Sequence, residues 1–557
     1  MGTDRPFFAH DTWVNYETKF EIVNNYSRQI GRHYIKVGVD YARLPTFHAN
    51  LMVFSPGRVR FFDDPSVIVN NTNGMYPQGF LTPGIVRDII VSSQAQVDAW
   101  SRDSWFFAGY AQDDFQVSPK LTLNLGVRYD VHELMDNSQG FPDNRTGVVL
   151  RAIDHPFGGP PETDRNNVAP RVGFAYDVQG DGRHVVRGSF GYFYATGIIT
   201  SAYGANLLSQ ENIFIRSQKG NTAIGAGELS DYVLGEELPF DIPAAPTELP
   251  FGGATSGAYY HPDFEDAYSI NSSFGYSHLL TPNTVISADY LNVAVRKGWR
   301  QVNINPFLDH DNDPNTPNIR ALTPALQEVY GDPALLGPTN VLFSNSNGRY
   351  DGVDVHFEHR FPTGGAFQVN YTLAWARGNG GASDFTTQGF HAGPEVQSEF
   401  GDSYFLDSEW GPTAYDERHR VTFAGSFPLP WGLSIAPLVT AASSRPYTAY
   451  GGFSRFGLLQ YVKDDNGNSL GPNNTRGTPL LNLNGRVTKA FEMPGGQSMD
   501  LFIEFYNITN RANFGNNFNG FAFSPAFGEP IGYLGGIGST STLPVSFQMQ
   551  IGGRFEF

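Results

Sequence analysis

The stretch Thr542–Phe557, TLPVSFQMQIGGRFEF, decides the fold because its apolar and polar positions alternate without a break. Odd-numbered positions are apolar or glycine, and even-numbered positions are polar, glycine or proline. Successive side chains of a strand point to opposite faces, so this pattern predicts one strand with an apolar and a polar face. Such a strand is longer than the roughly 3–10 residues usual in soluble proteins, and it suits a transmembrane β-barrel. The alternative is an edge strand of a large soluble sandwich.

The composition permits a barrel and argues against two other classes of protein. The chain has 557 residues, of which 17% are charged and 14% aromatic, with no cysteine and a mean hydropathy of −0.30. No run of about eighteen apolar residues occurs, which excludes membrane-spanning helices. Barrel strands escape this test because only alternate residues face lipid. The net charge of −18 argues against nucleic acid as a partner, which requires a basic surface. The lack of cysteine fits the cell envelope.

Tight turns rich in glycine, proline, asparagine and aspartate join pairs of alternating segments. The seven turns are Gly31-Arg32-His33, Ser118-Pro119-Lys120, Gly180-Asp181-Gly182, Thr281-Pro282-Asn283, Pro362-Thr363-Gly364, Pro430-Trp431-Gly432 and Pro494-Gly495-Gly496. With the final strand they predict fifteen strands, whereas bacterial barrels of a single chain have an even number. The segments Arg58–Phe62 and Gln210–Arg216 are candidates for a further strand. The expected fold is therefore an all-β antiparallel transmembrane barrel with 15–16 strands in this chain.

Long connections separate the hairpins and hold more than half of the chain. They cover approximately residues 44–103, 134–165, 197–264, 296–346, 377–412, 447–477 and 510–541. Compact soluble domains seldom carry loops beyond ~12–15 residues, whereas outer-membrane barrels combine short periplasmic turns with long extracellular loops. This asymmetry is the second argument for a barrel.

Several segments resemble the barrel of TonB-dependent receptors, in particular the Oar-like branch. They are Tyr110–Asp130 (YAQDDFQVSPKLTLNLGVRYD), Asn167–Val178 (NVAPRVGFAYDV), Tyr350–Arg360 (YDGVDVHFEHR), Tyr415–Arg420 (YDERHR) and Phe505–Phe514 (FYNITNRANF). The resemblance implies the C-terminal portion of a 22-stranded barrel in the outer membrane of a Gram-negative bacterium. It also implies contact with membrane lipid and lipopolysaccharide. Phe555 and Phe557 would form the terminal aromatic signal that the outer-membrane assembly machinery reads.

The family's other parts are not visible in this sequence. The first residues, MGTDRPFFAH, lack the features of a signal peptide, and no plug domain or TonB box follows. We therefore expect residues 1–557 to be an N-terminally truncated barrel domain whose sheet has an incomplete seam. TonB would be a partner only if a plug segment lies upstream.

No catalytic constellation or cofactor motif emerges, so we expect neither an enzyme nor a bound cofactor. Asp309, Asp311 and Asp313 alternate as at the start of a calcium loop, but Pro314 replaces the glycine that the sharp turn needs. The alternative is a solvated acidic loop. Acidic residues also concentrate in loops 197–264 and 377–412, where they would either attract cationic ligands or simply aid solubility and calcium bridging to lipopolysaccharide. The loop aromatics Tyr259, Tyr260, Tyr404, Phe405 and Trp410 would stack on sugars or pack the loops together.

The leading functional hypothesis is the wall and the ligand-binding loops of a TonB-dependent uptake receptor. A passive porin-like barrel or a surface adhesin is the alternative, and a secreted soluble all-β carbohydrate-binding protein is the third. The ligand stays open among iron chelates, oligosaccharides, peptides and cobalamin.

Overall fold

The computed structural model describes residues 14–556, apart from several internal segments. Those segments are 51–57, 64, 95–99, 133–144, 161, 196–213, 240–256, 306–318, 334, 338, 380–409, 454–458, 494, 496 and 535–545.

The described residues form twenty-five β-strands and three short α-helices. The strands are β1 (Val14–Ile30), β2 (His33–Asn50), β3 (Arg58–Phe61), β4 (Val86–Gln94), β5 (Trp100–Ser118), β6 (Leu121–His132), β7 (Val168–Asp177), β8 (His184–Tyr194), β9 (Phe214–Ala223), β10 (Ala226–Gly227), β11 (Gly257–Tyr260), β12 (Tyr268–Thr281), β13 (Thr284–Asn303), β14 (Thr339–Arg360), β15 (Ala366–Gly378), β16 (Gly411–Pro412), β17 (His419–Leu429), β18 (Leu433–Ala442), β19 (Pro446–Tyr447), β20 (Tyr450–Phe453), β21 (Leu459–Tyr461), β22 (Thr475–Arg476), β23 (Leu480–Glu492), β24 (Ser498–Tyr506) and β25 (Gln548–Glu556). The helices are α1 (Pro65–Asn70), α2 (Arg145–Ala152) and α3 (Thr323–Tyr330), with 3₁₀ turns at Gly79–Leu81, Pro156–Gly158 and Pro430–Gly432.

Fifteen of these strands pair antiparallel with their neighbours to form one large sheet. Its order is β1-β2-β5-β6-β7-β8-β12-β13-β14-β15-β17-β18-β23-β24-β25. The short strands β11 and β16 attach to it, at β14 and β15 respectively. The predicted fold class and strand number are thus confirmed. Among the described residues no ladder joins β1 to β25. These two strands run in the same direction, as an odd number of strands requires, and therefore cannot form an antiparallel pair.

The predicted turns lie at one end of the sheet, which we call the turn end; Pro494 and Gly496 of the seventh turn lie outside the described residues. The tightest joins β1 to β2 through Gly31 and Arg32, and the glycine adopts φ +60, which costs a residue without a Cβ little. The described parts of the long connections lie at the opposite end, the loop end. The predicted asymmetry between short turns and long connections is therefore confirmed.

The two faces of the sheet differ as the alternation predicts. We call them the apolar face and the polar face. Large hydrophobic side chains on the apolar face are exposed in every part of the sheet, for example Ile22, Val37, Leu125, Phe274 and Ile551. Buried hydrophobic residues instead concentrate at the loop end. A sheet that exposes this much apolar surface requires an apolar surrounding.

Three sequence interpretations need correction. The last strand begins at Gln548 rather than Thr542, since Ser546 and Phe547 precede it and residues 542–545 lie outside the described residues. The candidate strand at Arg58–Phe62 is β3, and the candidate at Gln210–Arg216 overlaps β9. Both belong to a separate four-stranded sheet of order β10-β9-β4-β3 at the loop end. In this sheet β4 lies between β3 and β9 and pairs with both. Among the described residues, no helix combines the length and the apolar character needed to cross a membrane.

Candidate functional site

Ion pairs that bridge alternate strands organise the polar face. Arg187 on β8 donates from Nε to Asp289 Oδ1 at 2.8 Å, although β12 lies between their strands. The pair passes over Gly275, where a Cβ atom would come within 1.9 Å of the Asp289 carboxylate. Glycine at this position therefore lets two charged side chains on non-adjacent strands meet along the wall.

The same arrangement recurs near the first strand. The Tyr110 hydroxyl on β5 donates to Asn25 Oδ1 on β1 at 2.8 Å. Gly38 on β2 lies beneath this contact, and a Cβ there would meet the tyrosine ring at 2.3 Å. In both places the polar side chains thus lie along the sheet, over a glycine of the strand between them.

Other polar groups on this face also find partners within the wall. Arg486 donates from Nε to Glu504 at 2.8 Å, and its guanidinium lies 4.5 Å from the centre of the Phe502 ring. Asn124 donates to Asp114 at 2.7 Å. Among the described residues no group of three or more histidine, aspartate or glutamate side chains is arranged to hold a metal. The polar face is therefore a wall of paired charges and aromatic rings.

At the loop end, three long connections share one hydrophobic core, which we call the first loop core. It joins α2, β11, α3 and the beginning of β14, and consists of Val149, Leu150, Tyr259, Tyr260, Phe264, Val302, Ile304, Leu322, Leu326, Leu335, Leu336, Val341, Leu342 and Phe343. Tyr259 and Tyr260 are only 1% exposed. Of the two roles considered for these tyrosines, packing the loops together is confirmed, and stacking on a sugar is wrong because no ligand reaches buried rings.

A second loop core lies beneath the four-stranded sheet. Its residues come from the first long connection (44–103) and the third (197–264). They are Ile68, Tyr76, Ile85, Val86, Ile89, Leu229 and Tyr232. Asn221 fixes the crossing of the two connections, since its Nδ2 donates to the carbonyls of Gly84 and Val86 and its Oδ1 accepts from the amide of Leu229. These described parts of the connections are folded units.

A buried carboxylate anchors the sixth long connection, residues 447–477, to the sheet. Asp416 is 2% exposed and accepts from the Ala376 amide at the end of β15 at 2.9 Å. Its other oxygen pairs with Arg476 and, at 3.4 Å, with Arg418. Glu417 beside it binds both Arg420 at 2.8 Å and Arg445 at 2.6 Å. The segment YDERHR is therefore a clamp that joins β15, β17 and the strand pair β19–β22.

A second buried carboxyl lies where β12 begins. Asp266 is 6% exposed; its carboxylate accepts from Asn167 Nδ2 at 2.9 Å, and its amide donates to Asp164 Oδ2 at 3.0 Å. Burial, and then the charge of Asp164, raise the pKa of Asp266 to about 7, against the lowering effect of the Asn167 hydrogen bond. Asn167 is itself buried, and its Oδ1 has no hydrogen-bond partner. Asp266 therefore changes its protonation state near neutral pH.

The Asp266 carboxyl should make the loop end more stable in mild acid. A folded-state pKa above the unfolded value of about 4 means that protonation favours folding. This contribution is fully present below about pH 4 and is lost as the pH rises through about 7, by on the order of 2–4 kcal/mol. The hydrogen-exchange protection factors of residues 257–267, corrected for the intrinsic pH dependence of exchange, should therefore fall between these values, and Asp266→Asn should flatten their pH profile. An equal profile for Asp266→Asn and for a control at exposed Asp263 would contradict this assignment.

The structure describes only some of the site residues that the sequence predicts. Asp309, Asp311, Asp313, Tyr404, Phe405 and Phe557 lie outside the described residues. Phe555 lies on the apolar face of β25, opposite Met499 on β24, and is 48% exposed. Trp410 is exposed at the beginning of the segment that leads to the Asp416 clamp. The calcium site and the assembly signal stay predictions.

Comparison with known proteins gives one family match. Residues 6–437 match the model of a family described as an outer membrane β-barrel domain. A comparison with curated protein sequences gives no match.

Solved structures of similar shape come from several bacteria. The chain is 9% identical to the outer membrane transporter YddB of Escherichia coli, covering 90% of this chain and 51% of that one with a TM-score of 0.49. The corresponding values are 9%, 96%, 55% and 0.46 for the FrpB iron transporter of Neisseria meningitidis. For the siderophore receptor PirA of Acinetobacter baumannii they are 10%, 96%, 54% and 0.47. The chain spans about half the length of these structures.

Proposed function

The chain belongs to the outer membrane β-barrel domain family, and from this premise we propose that it forms the wall and the outer mouth of a TonB-dependent uptake receptor. Its place is the cell outer membrane, where the apolar face contacts lipid and the polar face lines the interior. The proposed role is binding and passage of a ligand, without catalysis.

The observation that carries the proposal is the folding of the long connections into two hydrophobic cores. Each core joins segments that are far apart in sequence, and its largest side chains, such as Tyr76 and Tyr259, are almost fully buried. A surface that is ordered before it meets a ligand loses little conformational entropy on binding, which favours affinity. A passive pore gains nothing from such an ordered mouth.

The remaining parts of the proposal rest on the sequence resemblance. Energy coupling needs a plug and a TonB box, which would precede the barrel in a longer protein. The assembly machinery would read Phe555 and Phe557, and lipopolysaccharide would surround the loop end. The predicted 22-stranded barrel would require further strands between β1 and β25.

The alternative is a passive porin-like barrel or an adhesin. The polar wall favours the porin, because its paired charges suit any polar solute. The secreted soluble protein is the least compatible of the hypotheses, since the chain belongs to an outer-membrane family.

Uptake assays in cells with and without TonB test the proposal. The complete gene product would be expressed in both strains, and uptake of a ferric catecholate, a maltooligosaccharide, an oligopeptide and cobalamin would be measured. A receptor gives saturable uptake of one probe class that requires TonB. Equal, non-saturating uptake in both strains indicates a porin, and cell binding without uptake of any probe indicates an adhesin.

A further inference from the structure

Two histidines face each other directly across neighbouring strands at the turn end. His184 is the first residue of β8, and its partner in the ladder is His278, close to the end of β12. Their Nδ1 atoms are 2.9 Å apart, and the ring centres are 4.1 Å apart. Both side chains are partly exposed on the apolar face, next to the turn.

A third heteroatom reaches the same place. Tyr276 lies two residues before His278 on the same face, and its hydroxyl is 2.7 Å from His184 Nδ1. A neutral imidazole nitrogen either donates one hydrogen or accepts with one lone pair. His184 Nδ1 therefore has two polar neighbours, Tyr276 and His278, but can form only one conventional hydrogen bond. A cation that accepts lone pairs from the surrounding atoms resolves this competition.

We propose that His184, His278 and Tyr276 bind a divalent transition-metal ion of the copper and zinc class. Imidazole nitrogen is a preferred ligand of these ions. Bond lengths of about 2.0–2.1 Å to a tetrahedral ion would place the two Nδ1 atoms about 3.3 Å apart, so that a small separation of the rings admits the ion. Water would occupy the remaining coordination positions.

The surroundings permit an ion to reach this position. The adjoining turn is polar and carries Asp181 and Arg183, which are both exposed. The nearby Asp177 carboxylate is engaged by the amides of Gly180 and Gly182 at 2.8 and 2.7 Å. On the other side of His278 the apolar face presents Ile286 of β13. His359 of β14 is the next histidine along this face, and its Nδ1 lies 2.9 Å from the hydroxyl of Thr284.

Bound metal would act as a tie between strands that the chain connects only through a long loop. His184 and His278 are 94 positions apart in sequence. The site does not exist in the unfolded chain, so the free energy of metal binding to the folded state adds directly to stability. The inference concerns the lipid-facing surface, so it is independent of the proposed uptake function.

Metal titration of the full-length chain in detergent, slightly above neutral pH, tests the inference. We expect one Cu²⁺ to bind more tightly than Zn²⁺, as the general order of metal affinities predicts, with nitrogen hyperfine coupling in the electron paramagnetic resonance spectrum. His278→Gln should weaken Cu²⁺ binding by about 10–100-fold or more. His359→Gln is the matched control and should leave binding unchanged. Zn²⁺ should raise the Tm of the wild type but not that of His278→Gln.

The inference would be overturned if His278→Gln bound Cu²⁺ with the affinity of the wild type, or if both histidine variants lost affinity equally. Should His278→Gln fail to fold, Tyr276→Phe and the wild-type spectrum still decide the question. A wild-type spectrum without coupling to two imidazole nitrogens excludes the site. A spectrum that shows this coupling, together with weaker Cu²⁺ binding by Tyr276→Phe, supports it.

Discussion

Replacing Ile551 with arginine is expected to prevent stable assembly of the chain in the outer membrane. Ile551 lies in the middle of β25 on the apolar face, is 70% exposed, and pairs with Ile503 of β24. In an outer-membrane barrel this face contacts lipid, and an arginine near the bilayer midplane costs ~2–4 kcal/mol. The readout is the amount of folded, heat-modifiable protein in the outer-membrane fraction.

The control is the same substitution at the neighbouring position. Gln550→Arg places the charge on the polar face, where its ladder partner is the acidic Glu504. We expect this variant to assemble nearly as well as the wild type. If both variants assembled equally well or equally badly, the assignment of the two faces would be wrong.

Local patterns in the sequence were sufficient to predict the large sheet. A strand of a barrel needs only the period of two, and a hairpin needs only suitable turn residues, so both signals lie within a few adjacent positions. The six turns that are described completely are confirmed for this reason, and the strands on either side of the seventh, β23 and β24, pair antiparallel. The beginning of β25 was less predictable because alternation continues beyond the strand into Phe547, whose amide donates instead to Asn510 at 2.9 Å.

The architecture of the long connections could not be predicted in the same way. β9 pairs with β4 only after the chain has passed through strands β5–β8 of the large sheet, and Tyr259 is buried by residues from two other connections. Such contacts depend on which loops the barrel brings together, and a single sequence carries no local signal of this. The sequence could therefore identify loop aromatics but not decide between packing and ligand contact.

The polar sites also differ in whether local sequence patterns or tertiary contacts determine them. His184 and His278 each lie next to a recognised turn and on a predictable face, so their proximity follows once β8 is known to pair with β12. The Asp266 environment depends on Asn167 and Asp164, which approach it from the preceding connection. Its raised pKa is a property of tertiary packing, and composition or spacing gives no indication of it.

Replacing Asp416 with alanine is expected to release the outer clamp and destabilise the loop end. The variant leaves Arg476 and Arg418 without their shared carboxylate and the Ala376 amide without its acceptor. Removing one partner of a fully buried ion pair typically costs about 3–5 kcal/mol, and the cost here should be smaller because the Arg476 and Arg418 side chains are 41% and 33% exposed. Here much of the cost should appear as local opening, since the large sheet has its own ladders.

The location of the effect distinguishes this explanation from general misfolding. Hydrogen exchange and limited proteolysis of Asp416→Ala should accelerate around residues 411–418 and 445–476, while β5–β8 remain protected. Asp416→Asn should be milder, because an amide oxygen can still accept from Ala376 although the charge is lost. Asp464→Ala, which changes an exposed turn of the same connection, should leave the clamp segments unaffected. Uniform destabilisation of the whole sheet by Asp416→Ala would show that the clamp is part of the barrel's folding core and not a local anchor.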